Sequence, residues 1–239
     1  MSIQCDPRYS SRVVYFANDD EQYPWSMGGT AFLASFGESL FVITAQRVVG
    51  ARDPQQTFVA KTRGARAGIP LNRLLRVPFV DEEHKDIAIF GVQEDVSSIW
   101  SVQAFPVDQD SVTRAHDAMA HPQCELMVCG SPREIRGIDY EAPRVREQHA
   151  NICCRLVRAP KPYARVGALA YPDDLPVTSL AGLSGAPVFA QRPGILWGLA
   201  GMIITGDDPR SPGRFIDGVV LSGALNHAVE LRHSNAGCN

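Results

Sequence analysis

The chain is poor in the features that mark several large classes of protein. Only six of its 239 residues are cysteine (Cys5, Cys124, Cys129, Cys153, Cys154 and Cys238), too few and too unevenly placed for a disulfide framework. Cys124 and Cys129 are separated by four residues within a β-like run, and the adjacent Cys153 and Cys154 would point to opposite faces of a strand. A four-ligand zinc site is therefore not expected, nor is any metal or other cofactor, and the thiols are read as free and mostly core-filling. Neither sign of charge dominates: 23 Lys and Arg stand against 26 Asp and Glu, for a net charge of -3. That provides no broad footprint for nucleic acid or an anionic membrane, and neither is expected as a partner. No apolar run reaches membrane-spanning length. The first thirty residues, with Asp6, Asp19, Asp20 and Glu21, have neither the basic start nor the apolar core of a signal peptide, so a soluble, cytoplasmic protein is expected. Tandem repeats and low-complexity tracts are absent.

What the chain does have is an ordinary apolar fraction of 45%, with 20 Gly and 17 Pro to make frequent corners. Segments rich in Val, Ile, Phe and Thr and bounded by Gly, Pro, Asp or Asn predict strands at 12–16, 30–35, 40–45, 57–60, 74–77, 87–92, 126–129, 152–157, 186–189, 195–204 and 218–221. Their number and spacing predict an all-β chain folded into barrels or a sandwich. Leu225, Ala228, Val229 and Leu231 follow Ser222 at helical spacing and predict a closing helix. The polar stretch around Pro106 and Pro122 separates two strand-rich halves. The expected domains are therefore 1–105, a linker at 106–123, and 124–239 with the helix. Each half is marginal alone and is expected to pack on the other across a shared cleft.

Three segments carry the functional signal. Gly29-Thr30-Ala31-Phe32-Leu33 leads through a turn to Phe41-Val42-Ile43-Thr44-Ala45-Gln46-Arg47; Asp86 precedes Ile87-Ala88-Ile89; and Gly182-Leu183-Ser184-Gly185-Ala186-Pro187 precedes an apolar strand. Alone, the last is a tight turn and Asp86 a charge at a strand edge. In this order, and with Leu126-Met127-Val128-Cys129-Gly130-Ser131-Pro132 between them, they resemble the trypsin-like (chymotrypsin-fold) serine peptidases, especially the bacterial HtrA-like branch. The resemblance runs from about residue 28 to residue 231. It implies two six-stranded antiparallel β-barrels with a C-terminal helix, hydrolysis of a peptide bond by Ser184, orientation of a base by Asp86, and an oxyanion hole from the backbone N–H groups of Gly182 and Ser184. Leu183, where many secreted relatives carry an activating Asp, fits the HtrA-like branch. The strand 197–203 resembles the wall of the family's substrate cleft, with Ala200, Gly201 and Met202 at a pocket for small or apolar side chains. A buried barrel strand reads equally well there.

The pattern breaks at one position. By the match through Thr44-Ala45-Gln46, the family's histidine position holds Arg47. A guanidinium stays protonated and cannot accept the Ser184 proton. Losing the base from such a triad removes roughly 10⁶-fold in kcat. An ion pair between Arg47 and Asp86, filling the cleft, is expected instead. His84, His116, His121, His149, His227 and His233 lack the strand-end context of a substitute base, and a Ser–Lys arrangement using Lys85 or Lys161 is a lesser alternative. The leading expectation is an inactive or strongly impaired pseudoprotease that binds a polypeptide substrate or partner protein. The alternatives are an active serine endopeptidase, through another base or as a parent enzyme with His at 47, and a purely structural β module with a closed cleft.

Overall fold

The computed structural model describes residues 6–61, 68–71, 73–79, 81–92, 103–141, 144–161, 165–175, 177–194, 196–206 and 208–236. The first half contains β1 (Ser11–Ala17), β2 (Trp25–Phe36), β3 (Ser39–Ala45), the short helix α1 (Gln46–Val49), β4 (Thr57–Ala60), β5 (Gly68–Pro70), β6 (Leu74–Leu75), β7 (Ile87–Gly91) and β8 (Phe105–Pro106). Helix α2 (Gln109–Met119) leads to β9 (Glu125–Gly130), β10 (Gly137–Asp139), β11 (Arg144–Arg146), β12 (Ala150–Arg158), β13 (Val166–Ala170), β14 (Pro187–Gln191), β15 (Gly198–Thr205), β16 (Gly213–Asp217) and α3 (Gly218–Ala236).

The strands form one curled sheet and one closed barrel. The sheet runs β5-β4-β1-β2-β3-β7-β6, with β8 added parallel to β2; the barrel runs β12-β13-β16-β15-β14-β9. Strands β10 and β11 form a separate hairpin. The all-β double-barrel architecture with a terminal helix is thus present, although the first half is a curled sheet of eight strands among the described residues. Strand alternation accounts for its packing. On β3, Leu40 and Val42 enter the core of the first sheet, while Phe41, Ile43 and Ala45 enter a second core shared with the barrel. That shared core includes Phe189, Leu199, Met202 and Ile204, and its Phe105 and Phe189 rings lie 4.6 Å apart. Because β3 is apolar on both faces, the sheet cannot remain solvated on its outer side and the two halves must pack together.

Several elements differ from the sequence expectations, the short strands β5, β8, β10, β11 and β16 among them, and three of the differences have a clear physical reason. Residues 106–123, read as a linker, contain α2. Asp108 caps this helix by accepting from Ser111 N at 2.6 Å, and Val112, Ala115, Ala118 and Met119 form its buried stripe. The small Ala115 and Ala118 make that stripe weakly hydrophobic but let the helix lie directly on β15, where a Cβ on Gly198 would come within 2.3 Å of Ser111 O. Residues 218–221, read as a strand from Val219 and Val220, form the first turn of α3. The Asp217 carboxylate, fully buried, accepts from Val219 N at 3.0 Å and so starts the helix there. Strand β13 was not foreseen because its Gly167 and alanines lack β signal; the glycine is needed because a Cβ would lie 2.3 Å from the Phe215 ring.

Candidate functional site

Antiparallel pairing assembles the first part of the site. Thr44 pairs with Ala88 and Ala45 with Ile87, so the residues leaving the end of β3 and those entering β7 meet at one end of the sheet. Arg47 leaves on α1, and Asp86 ends a single 3₁₀ turn, His84–Asp86, rather than beginning the strand. The Asp86 carboxylate takes the Arg47 backbone N–H on Oδ1 at 3.1 Å, and both Nε (2.9 Å) and Nη2 (2.6 Å) of its guanidinium on Oδ2. The guanidinium fork therefore closes on one oxygen, and the backbone N–H occupies the other. Asp86 is largely sheltered, with 16% of its side chain exposed, whereas Arg47 is 47% exposed. An ionised carboxylate with three charge-assisted donors has no reason to turn toward another base.

The second part is the loop before β14. Gly182 and Gly185 have φ of +98° and +85°, values that favour glycine. The N–H groups of this loop alternate in use. Leu183 N donates to Leu180 O, Gly185 N to Ile203 O and Ala186 N to Leu183 O. Among the described residues, the N–H groups of Gly182 and Ser184 and the Ser184 hydroxyl have no hydrogen-bond partner. The loop is fastened to the first half through Thr30, which donates from N to Ser184 O (3.0 Å) and from Oγ1 to Gly182 O (2.7 Å). Thr30 Oγ1 also accepts from Ser131 N at 3.1 Å. A Cβ on Gly185 would lie 2.1 Å from Thr30 O, 2.5 Å from Thr44 Oγ1 and 2.9 Å from Ala45 N, so the Ser184 loop rests against the end of β3 that launches Arg47.

Arg136 completes this corner. Its guanidinium donates to Gly28 O and, at 3.2 Å, to Gly29 O, and one of its nitrogens would lie 2.7 Å from a Cβ on Gly182. Burial pushes its pKa down to about 10, so it remains cationic at neutral pH. Its Nε is buried and has no hydrogen-bond partner among the described residues.

A cavity of about 560 Å³ opens beside the ion pair, lined by Arg47, Asp86, Glu83, Ile204, Thr205 and Arg214 among others. Ala200, Gly201 and Met202, the sequence candidates for substrate contact, do not line it. Ala200 faces the barrel interior and Met202 the shared core, and a Cβ on Gly201 would meet Ile216 O at 1.8 Å. The part of β15 that reaches the cavity is its end, at Ile204 and Thr205. The apolar run gives no mark of where the strand leaves the core, and Thr205, only partly buried and the first polar residue after that run, is the one available signal.

The other titratable candidates lie elsewhere or are engaged. His84 Nδ1 is 3.4 Å from Asp81 and Lys85 Nζ is 2.5 Å from Glu82, while Lys161 is exposed after β12. His121 accepts from Gln123 N, His227 lies 3.5 Å from Glu230, and the His233 side chain lies outside the described residues. His149 is buried between the halves, 2.8 Å from Glu147 and 3.0 Å from Ser11 Oγ. Burial opposes ionisation of Glu147, but hydrogen bonds from His149 and Tyr15 hold its pKa below the ordinary value. His116 bonds the buried Asp217 at 2.9 Å, which raises the imidazole pKa. Among the described residues, no three His, Cys, Asp or Glu side chains are grouped to hold a metal. Cys124, Cys153 and Cys154 are free thiols, with Cys153 exposed and Cys154 buried.

No protein-family model matches the chain, and no curated protein matches it in sequence. Solved structures do match it. Kallikrein-related peptidase 10 in complex with Zn²⁺ superposes with a TM-score of 0.60 at 12% identity, over 96% of this chain and 99% of that one. A variant of human heparin-binding protein gives 0.59 at 14% identity, over 95% of both chains. The scabies mite inactivated protease paralogue S-D1 gives 0.56 at 11% identity, over 92% of this chain and 91% of that one. Nearly complete coverage in both directions at such low identity is a likeness of architecture: the chain has the trypsin-like serine protease fold.

Proposed function

We propose that this protein is a pseudoprotease: a trypsin-like fold, of the HtrA-like branch, that binds polypeptide in the cleft between its two halves without hydrolysing it. The observation that carries the reading is the Arg47–Asp86 contact. Arg47 stands where the fold family places its histidine, and it engages both carboxylate oxygens of Asp86. Ser184 keeps a hydroxyl with no base, since no imidazole or amine among the described residues hydrogen-bonds to it. The loop that would stabilise an oxyanion is retained, with unengaged N–H groups at Gly182 and Ser184. An ability to bind a polypeptide carbonyl thus persists where the means of activating the nucleophile is gone. The fold tolerates such a state, since two of its structural neighbours are scabies mite protease paralogues described as inactivated. Leu183 before the serine supports the HtrA-like placement, and the cavity lining at Ile204 and Thr205 supports substrate contact there rather than at 200–202.

The test is a casein-derived peptide pool mixed with the purified chain. Binding without turnover is expected. Cleavage that disappears in Ser184→Ala would overturn the proposal in favour of an active endopeptidase.

A further inference from the structure

Resting on that reading, we infer that the retained loop serves as a receptor for the free C-terminal carboxylate of a polypeptide, held by the N–H groups of Gly182 and Ser184 and the Ser184 hydroxyl beside Arg136. The site is built for an anion. Two N–H groups two residues apart, in a turn made by positive-φ glycines, have no partner among the described residues and are available to an acceptor, as in a backbone nest. The Ser184 hydroxyl adds a third donor that nothing else in the described chain claims.

Charge decides between a neutral carbonyl and a carboxylate. A cleft containing Asp86 and a neutral imidazole would carry one negative charge and repel a carboxylate product. Here Arg47 neutralises Asp86, so the pair contributes no net charge. Arg136 then adds a cation directly against Gly182, with a buried Nε that has no partner among the described residues. Glu147, an anion that acts on Arg136, is tied to His149 and Tyr15, and the exposed Glu134 is bonded to Thr178 N and Oγ1. Substituting arginine for the base therefore both abolishes proton transfer and turns an anion-repelling cleft into one that accepts an anion. Binding is a single association step, with no bond made or broken.

The experiment titrates the ¹⁵N-labelled full chain with N-acetylated tetrapeptides ending in Ala, Val, Leu or Met, each as the free acid and as the carboxamide. Affinity and the Gly182 and Ser184 amide signals are read together by NMR. At least one acid is expected to bind about tenfold tighter than its carboxamide, because charge-assisted hydrogen bonds are roughly twice as strong as neutral ones. Its binding shifts both amide signals. Arg136→Gln reduces the acid-over-amide ratio about threefold, and Asp86→Asn, which removes the anion from the cleft, raises it by a similar factor. Equal affinity for acid and carboxamide, acid binding that leaves both amides unmoved, or no acid bound at about 10 mM, where even a millimolar site is filled, overturns the inference alone. Hydrolysis of the carboxamides overturns the pseudoprotease reading and the inference together.

Discussion

Removing either member of the Arg47–Asp86 pair should cost almost as much as removing both. In Arg47→Gln, Asp86 keeps only the backbone N–H of residue 47 and is left as a sheltered carboxylate with 16% of its side chain exposed. In Asp86→Asn, the guanidinium loses two contacts, at 2.6 and 2.9 Å, but swings into solvent, since Arg47 is 47% exposed. A hydrogen bond to a charged group contributes about 1.5–3 kcal/mol and an exposed ion pair about 0.2–1 kcal/mol. With one partner sheltered and one half-exposed, the coupling falls between these limits, at about 1–2 kcal/mol. Urea denaturation of the native chain, the two single variants and the double variant measures it as a double-mutant cycle. One core spans both halves, so unfolding is followed as a single transition. Coupling below about 0.3 kcal/mol, within the range of independent sites, would refute the claim that Arg47 and Asp86 act as a unit.

Three further outcomes follow from the geometry. Gly185→Ala introduces a Cβ 2.1 Å from Thr30 O at a φ of +85°, and thermal unfolding should show a loss of about 3–5 kcal/mol; a loss under about 1 kcal/mol would contradict the docking of the Ser184 loop on the first sheet. Met202→Ala should destabilise the fold by about 2–5 kcal/mol while leaving peptide affinity unchanged, whereas Thr205→Arg should weaken peptide binding at a stability cost within about 0.5 kcal/mol; the reverse pattern would return the substrate position to 200–202. The Asp217 hydrogen bond raises the His116 pKa in the folded state, so its stabilisation is complete below the unfolded value of about 6.5 and disappears as pH rises through the higher folded value. The difference in melting temperature between the native chain and His116→Gln should therefore narrow from pH 5.5 to pH 9; a constant difference would exclude that coupling.

The sequence conveyed most where short-range pattern and long-range order coincide. Both-face apolar strands such as Phe41 to Ala45 announced a buried sheet, and the order of Arg47, Asp86 and Ser184 announced the site, because antiparallel pairing of Ala45 with Ile87 has to bring the first two together. What stayed hidden depends on contacts distant in the chain. Arg136 has no local feature to connect it to Gly28, Gly29 and Gly182, and it reaches them only through folding. Thr30 reads as an ordinary strand threonine, yet it fixes the Ser184 loop through two hydrogen bonds. Helix α2 was obscured because its buried face mixes Ser111, Ala115 and Ala118 with only two large apolar residues, Val112 and Met119, and the start of α3 because Val219 and Val220 favour strands while a buried Asp217 caps a helix. That the cavity is lined by Ile204 and Thr205 rather than Met202 has the same origin: a continuous apolar run does not reveal where a strand leaves the core.

The most direct test of the account is the rate at which a fluorophosphonate labels Ser184 in the native chain and in Arg47→His. With Arg47 holding Asp86 and no base on Ser184, the native chain should remain essentially unlabelled, and a histidine at 47 should raise the rate by several powers of ten, toward the roughly 10⁶-fold that separates intact from disrupted triads. Labelling of native Ser184 at a rate that Arg47→His does not increase would contradict it.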